Sequence, residues 1–207
     1  MPENLHKLFV ISSPSGGGKT SLINKLFEDS RSANFEKSIS DTSRQKRQGD
    51  LEGKDYYFLS EKDFKDKIKK KEYVEYATVF GNFYGTSKEE IKTKYNNSNL
   101  ILELDWQGAY AVKELFDDAK LIFLVPPSLN DLKQRLIKRN LDSSKAIENR
   151  LSEAKKEISK SEMYDYLVLN DDFDKAFEDL SQILFEGISP IDFNSRASKD
   201  LIKRLVE

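Results

Sequence analysis

The chain has 207 residues, with 34 basic against 36 acidic side chains, a net charge of −2 and no cysteine. That length buries a sizeable core and suits one domain with insertions. The near balance of charge excludes a global field that recruits nucleic acid or an anionic membrane, and the lack of cysteine excludes disulfides, thiolate catalysis and Cys-based zinc sites. His6 is the only histidine and precedes the first expected strand, which makes it a solvated surface residue rather than a catalyst. No apolar run is long enough for a signal peptide or a membrane span, so a cytoplasmic protein is expected.

In chain order, the first element is the apolar run Leu8-Phe9-Val10-Ile11. It is followed by Ser12-Ser13-Pro14-Ser15-Gly16-Gly17-Gly18-Lys19-Thr20 and then by Leu22-Ile23 and Leu26-Phe27. Strand, glycine-rich turn and helix in that order are the layout of a P-loop. Its backbone N–H groups wrap a triphosphate and the helix N-terminus adds its dipole. Lys19 reaches the β- and γ-phosphates, and the Thr20 hydroxyl meets Mg²⁺, partly through water. The first glycine of the motif is replaced by Ser13, a position that ends the strand and accepts a small residue if its φ stays negative.

The stretch from about Asn34 to Glu90 differs in character, being rich in tyrosine, glycine and charge. Its short alternating runs, Tyr56-Tyr57-Phe58-Leu59 and Tyr73-Val74-Glu75-Tyr76, predict an inserted antiparallel sheet. One helix is expected there, begun by Ser60 with Asp63 and continued through Phe64 and Ile68. Arg44 and Arg47, three apart beside turn residues, can set two guanidinium forks around one anion; a solvated basic loop is the plainer alternative. Thr86 or Ser87 caps the next helix, with Glu90 completing a box after Ser87.

Beyond the insertion, Leu100–Leu104, Leu121–Val125 and Tyr166–Leu169 read as further strands buried on both faces, with helical patterns between them. That alternation predicts a mainly parallel sheet covered by helices. The expected helical stripes are Leu129, Leu132 and Leu136, opened by Ser128 with Asp131; Ile147, Leu151, Ala154 and Ile158; and Phe173, Phe177, Leu180 and Leu184. Glu103 and Asp105 sit two apart at a strand's carboxyl end, where ligands of open α/β sheets bind. Arg135 and Arg139, with Arg150 in the next helical pattern, are a solvated basic face or a source of charge for an anion. Asn170–Asp172 is either a nucleotide edge or an N-cap for the stripe beginning at Phe173. The tail after Gly187 is expected to dock loosely, with one short helix around Leu201–Leu205.

With these segments in view, the sequence resembles the guanylate kinases. The resemblance rests on Ser12–Thr20, Ser40–Arg47, Gly53–Tyr56, Tyr73–Glu75, Gly81–Ser87, Ile101–Gly108, Val125–Arg139 and Asn170–Asp172, in the family's order from about residue 7 to 187. The Ser-x-x-x-Arg-x-x-Arg segment, followed by Gly-Lys-Asp-Tyr and Gly-Asn-Phe-Tyr-Gly-Thr, is far more specific than the P-loop. The resemblance implies a P-loop kinase core of parallel sheet and helices, an inserted small α+β GMP-binding region and a short helical lid. The expected division is 1–34 core, 35–90 GMP-binding region, 91–138 core, 139–150 lid and 151–207 core and tail. It implies transfer of a phosphoryl group from ATP to GMP with Mg²⁺, in a protein that is a monomer or homo-oligomer and takes no nucleic acid or membrane partner.

By the same resemblance, ATP is held by Ser13, Pro14, Ser15, Gly16, Gly17, Gly18, Lys19, Thr20 and Asn170. The GMP phosphate is held by Arg44, Arg47, Tyr56 and Tyr84, and the guanine by Ser40, Glu75, Thr86 and Asp105. Glu103 contacts GMP or the Mg²⁺ shell. Lys19, Arg44, Arg135, Arg139 and Arg150 supply catalytic charge. A carboxylate suits guanine, whose N1–H and 2-amino group both donate. A site of such hydrogen bonds rejects a base that leaves them unpaired by roughly 10⁴–10⁵-fold at best. Two rivals are a scaffold domain that binds phosphopeptides, which typically lacks an intact ATP loop, and a kinase for another phosphorylated acceptor, which lacks the Glu75–Thr86 pair.

Overall fold

In the computed structural model of the chain, which describes residues 6–79, 81–138, 144–191 and 195–207, the run Leu8–Ser12 forms strand β1 with every residue buried. There follow α1 (Lys19–Glu28), β2 (Phe35–Lys37), β3 (Asp41–Thr42), β4 (Tyr57–Phe58), α2 (Glu61–Lys69), β5 (Tyr73–Val79), β6 (Asn82–Ser87) and α3 (Lys88–Tyr95). The chain continues through β7 (Asn99–Glu103), α4 (Trp106–Leu115), β8 (Lys120–Val125), α5 (Leu129–Lys138), α6 (Ser144–Ser159), β9 (Tyr166–Leu169), α7 (Phe173–Ser181) and α8 (Arg196–Val206). No helix among the described residues is long and apolar enough to cross a membrane.

Two units form. One is built from the chain up to Phe9 and from Asn34–Ala119, the other from Val10–Ala33 and Lys120–Glu207. In the first, β2 pairs in parallel with β7; in the second, β8 pairs in parallel with β9. Strand β1 is divided between the units, Leu8 and Phe9 in the first and Val10–Ser12 in the second. Leu100–Leu102 and Leu121–Val125 are fully or almost fully buried. Continuous apolar runs of this kind are what a sheet covered on both faces requires. The three-residue β2 carries no such run, and its sequence does not announce a strand.

The first unit also holds the insertion, a four-stranded sheet in the order β4-β3-β6-β5. Strands β3/β6 and β5/β6 pair antiparallel as expected, whereas β3 and β4 pair in parallel. Helix α2 begins where expected, the Ser60 hydroxyl accepting from Asp63 N–H at 3.1 Å. Acidic residues fill its first turn and lysines its last, as the helix dipole favours. Phe64, fully buried, stacks on Tyr73 at 4.6 Å and on Phe83 at 5.4 Å, which fixes α2 to the small sheet.

Helix α3 is capped by Ser87, whose hydroxyl accepts from Glu90 N–H at 3.1 Å. The second half of the expected box does not form. The Glu90 carboxylate turns to Ile39 N–H at 2.7 Å and to Lys94 at 2.6 Å, a main-chain donor between β2 and β3 and a cation one turn on taking the place of the cap.

In the second unit, Leu132 and Leu136 of α5 and Ile147, Ala154 and Ile158 of α6 are buried. Ser128 accepts from Asp131 N–H at 3.0 Å. The third stripe holds in its second half only: Leu180 of α7 and Leu184 of the π turn Gln182–Glu186 that follows it are buried with Ala176 and Ile183, Phe177 is half-buried, and Phe173 at the first turn is 41 % exposed. The tail also departs from the loosely docked terminus: α8 spans eleven residues, packs on α6 and buries Ser198 and Leu205. Ser195 caps it, its hydroxyl accepting from Ser198 N–H at 3.1 Å.

Candidate nucleotide-binding sites

The second unit carries the glycine-rich loop. Strand β1 ends at Ser12 and α1 starts at Lys19, so the N–H groups of the first helical turn have no intrahelical acceptor and gather partial positive charge. The loop closes through Gly17 N–H donating to Pro14 O at 2.8 Å. Gly16 and Gly18 stand at φ +89° and +92°, where side-chain-bearing residues are strained. Ser13 keeps a negative φ, as expected of a residue standing in for the first glycine. Its hydroxyl donates to Pro14 O at 3.2 Å. Lys19 is half-buried and Thr20 exposed in the first turn of α1.

Three side chains from later in the chain converge on this loop. The Asn170 amide, buried at the end of β9, donates from Nδ2 to Gly17 O at 2.6 Å. Arg135 on α5 donates to the Asn170 carbonyl at 2.8 Å, and Arg150 on α6 donates to Ser15 Oγ at 3.0 Å. Asp172, not Asn170, is the N-cap of α7, accepting from Lys175 N–H at 2.9 Å. The N-cap reading of Asn170–Asp172 holds at Asp172, while the Asn170 side chain braces the loop. Arg139 and residues 140–143 of the expected lid lie outside the described residues; Ser144–Arg150 open α6.

The first unit carries the residues expected to hold an anion and a base. Arg44 follows β3 and is anchored by its own N–H, which donates to Thr42 Oγ1 at 3.1 Å. Its Nη2 donates to Asp50 Oδ2 at 2.8 Å, and the same oxygen accepts Arg47 N–H at 2.8 Å. Burial opposes ionisation of Asp50, but the Arg47 N–H and the Arg44 guanidinium outweigh it and hold its carboxyl below the usual value. The Arg44 guanidinium also lies 5.3 Å from the Tyr56 ring centre and 5.5 Å from that of Phe58. The Tyr56 ring meets Tyr84 edge-on at 5.8 Å. Burial, and next the charge of Glu103, raise the Tyr56 hydroxyl well above its ordinary value, so it stays a neutral donor. Glu103 pairs with Lys37 at 3.0 Å. The Arg47 side chain is exposed and Ser40 half-buried.

Asp41, a buried carboxylate of this unit, is paired with Lys67 and accepts from the Tyr73 hydroxyl at 2.8 Å. Glu75, equally buried, is 5 % exposed on β5. A register shift between Tyr73 and Glu75 sets it opposite Thr86 on β6, whose hydroxyl donates to Oε1 at 2.6 Å. Thr86 therefore aims the carboxylate with its one proton. Burial pushes the Glu75 carboxyl up to about 7; the Thr86 hydrogen bonds oppose that and the Asp105 charge adds to it. Asp105 does not prolong β7, which stops at Glu103. It is the N-cap of α4, its Oδ1 accepting from Gly108 N–H at 2.9 Å. The two acids two apart thus belong to a strand end and a helix cap, and face different partners.

The comparisons with known proteins cover this whole arrangement. The family model described as guanylate kinase matches residues 5–187. The chain belongs to the guanylate kinase family. A guanylate kinase of Wolbachia sp. subsp. Brugia malayi is 46% identical over 184 residues, covering 88% of this chain and 93% of that protein. A guanylate kinase of Coxiella burnetii is 41% identical over 205 residues, covering 99% and 98%. The crystal structure of guanylate kinase from Anaplasma phagocytophilum superposes with a TM-score of 0.73 at 32% identity, over 99% of this chain and 98% of that one.

Within this family member, three residues and one contact are not legible in the sequence: Asp50 on the two arginines, Lys37 on Glu103, Gly108 beside Glu75, and the hold of the already named Asn170 amide on the loop carbonyl. Gly49-Asp50, separated from Arg47 by Gln48 alone, was a usable turn signal for the first. The others depend on partners at least 33 residues away in sequence (108 − 75 = 33 for the nearest pair), and no local pattern marks them.

Proposed function

We propose that the protein transfers the γ-phosphoryl group of ATP to GMP, and to dGMP, releasing ADP and the corresponding diphosphate. The observation that carries the acceptor is the buried Glu75 carboxylate aimed by Thr86. Two carboxylate oxygens match the N1–H and 2-amino donors of guanine, and adenine has no such donor pair. Ser40 and Asp105 complete the base site. Arg44, Arg47, Tyr56 and Tyr84 take the acceptor phosphate, with Glu103 held at its margin by Lys37.

On the donor side, Ser13, Pro14, Ser15, Gly16, Gly17 and Gly18 supply the phosphate cradle. Lys19 reaches the terminal phosphates, and Arg135, Arg139 and Arg150 bring further charge. We assign 35–90 as the acceptor region and 139–150 as the lid. Among the described residues no cluster of three or more His or acidic side chains could cage a metal. The Thr20 hydroxyl, a hard oxygen donor in the first turn of α1, would hold a magnesium ion brought in on the phosphates of ATP. When bound, the ion neutralises charge on the β- and γ-phosphate oxygens.

The acceptor is a phosphate monoester with a second pKa of about 6, so it arrives as a dianion and needs no general base. The barrier is charge: at an effective dielectric near 20, unit charges about 4 Å apart repel by roughly 4 kcal/mol. The residues named above lower it by alignment and by fixed positive charge. A coupled assay of ADP release with GMP, dGMP, AMP and CMP tests the reading. GMP and dGMP should sustain turnover far above AMP and CMP; equal release with AMP, or none with GMP, would overturn it.

A further inference from the structure

Gly108 lies in the first turn of α4, buried, and both acids of the base site converge on it. Its N–H donates to Asp105 Oδ1 at 2.9 Å. A Cβ added at Gly108 would stand 2.8 Å from Glu75 Oε2, 3.3 Å from the Glu75 carboxyl carbon and 3.2 Å from Leu104 Cβ. The first of these is closer than carbon and oxygen pack, so a methyl group and the present carboxylate position exclude each other. The Glu75 side chain cannot swing into water to relieve the clash, since it is 5 % exposed and tied through Oε1 to Thr86. Gly108 has no positive φ, so its backbone conformation does not call for glycine. Helix propensity would favour alanine there by roughly 1 kcal/mol. What the glycine provides is the space in which the carboxylate lies.

We propose that Gly108 is the specificity-determining position of the acceptor site: its missing side chain sets where the Glu75 carboxylate lies and its N–H sets where Asp105 lies, so that the two acids take up guanine together. The inference rests on the acceptor reading given above. Gly108 is a positioning residue; it acts through Glu75 and Asp105.

The test is steady-state kinetics and calorimetric GMP binding for Gly108→Ala, Glu75→Asp and the double variant. Gly108→Ala should remain folded, with a melting temperature lowered by the crowding of its methyl against Glu75 and Leu104 and partly restored by the better helix former. It should raise KM and Kd for GMP roughly 10–100-fold, the worth of misplacing hydrogen bonds to a charged group, while KM for ATP stays within about twofold. Shortening Glu75 by one methylene makes room for the added methyl, so the double variant should bind GMP no worse than Glu75→Asp alone, a coupling that separate roles would not produce. Unchanged GMP affinity in folded Gly108→Ala overturns the inference, and so do losses that multiply in the double variant. A parent protein that turns over GMP alongside an unaffected Gly108→Ala variant fails the inference alone; a parent that neither binds nor phosphorylates GMP fails the acceptor reading and the inference with it.

Discussion

At Glu75, four forces meet on one carboxyl group. Burial and the charge of Asp105 favour its protonated form, while the Thr86 hydroxyl and N–H favour the anion. The balance lies at about 7, and only the anion accepts both guanine donors. GMP affinity should therefore rise as pH rises through about 7, with proton release on binding below it. Glu75→Gln should lose at least tenfold in GMP affinity at pH 8, keep ATP affinity, and show a flatter pH profile; calorimetry in buffers of different ionisation enthalpy reads both. The same group bears on stability. Its folded value is raised above the unfolded one, so the folded state binds more protons between the two. Its stabilising contribution is whole below about 4.5 and is lost as pH rises through about 7. Thermal melts should show a smaller loss of stability between pH 5 and 8 for Glu75→Gln than for the parent. Glu75 as a candidate for the base was legible through the family resemblance of its segment; its proton balance was not, because it depends on burial and on the charge of Asp105, 30 residues on in the chain.

Elements meet the glycine-rich loop at their ends. Strand β9 stops at Leu169, and the next residue carries the amide that closes on Gly17 O. Asn170→Ala leaves that carbonyl without its partner and should cost about 1–3 kcal/mol. It should also raise KM for ATP while leaving GMP binding unchanged, as measured by urea melts and kinetics. An N-cap function alone would predict lost stability with unchanged ATP affinity. The P-loop itself was readable from residues 8–27, because strand, turn and helix are contiguous; its brace was not, since Asn170 lies 153 residues from Gly17. The tail helix shows the same limit. Arg196–Val206 is strongly charged, and its few apolar positions make a helix only when α6 offers them a surface. Leu205, 3 % exposed, should cost about 2 kcal/mol as Leu205→Ala. That is a drop of about 4–8 °C in melting temperature for a chain of this size.

Across the whole molecule, the residues proposed for the donor and those proposed for the acceptor fall into separate units: 13–20, 135, 150 and 170 in one; 40, 44, 47, 56, 75, 84, 86, 103 and 105 in the other. Hydrogen exchange should then show ATP protecting amides of Val10–Ala33 and Lys120–Glu207 first, and GMP those of Asn34–Ala119. Each ligand at 100 times its Kd should add about 2.7 kcal/mol of stability, and uniform protection by either one would contradict the division. Contiguous motifs carry their chemistry in the order of residues, so the phosphate loop, the arginine pair and the Glu75 and Thr86 segments could be named from the chain alone. The register shift that brings Glu75 opposite Thr86, the carboxylate of Asp50 on both arginines, and the space above Gly108 could not. Each is a distance between residues that the covalent chain leaves free, and it acquires a value only when side chains pack and buried polar groups must find partners.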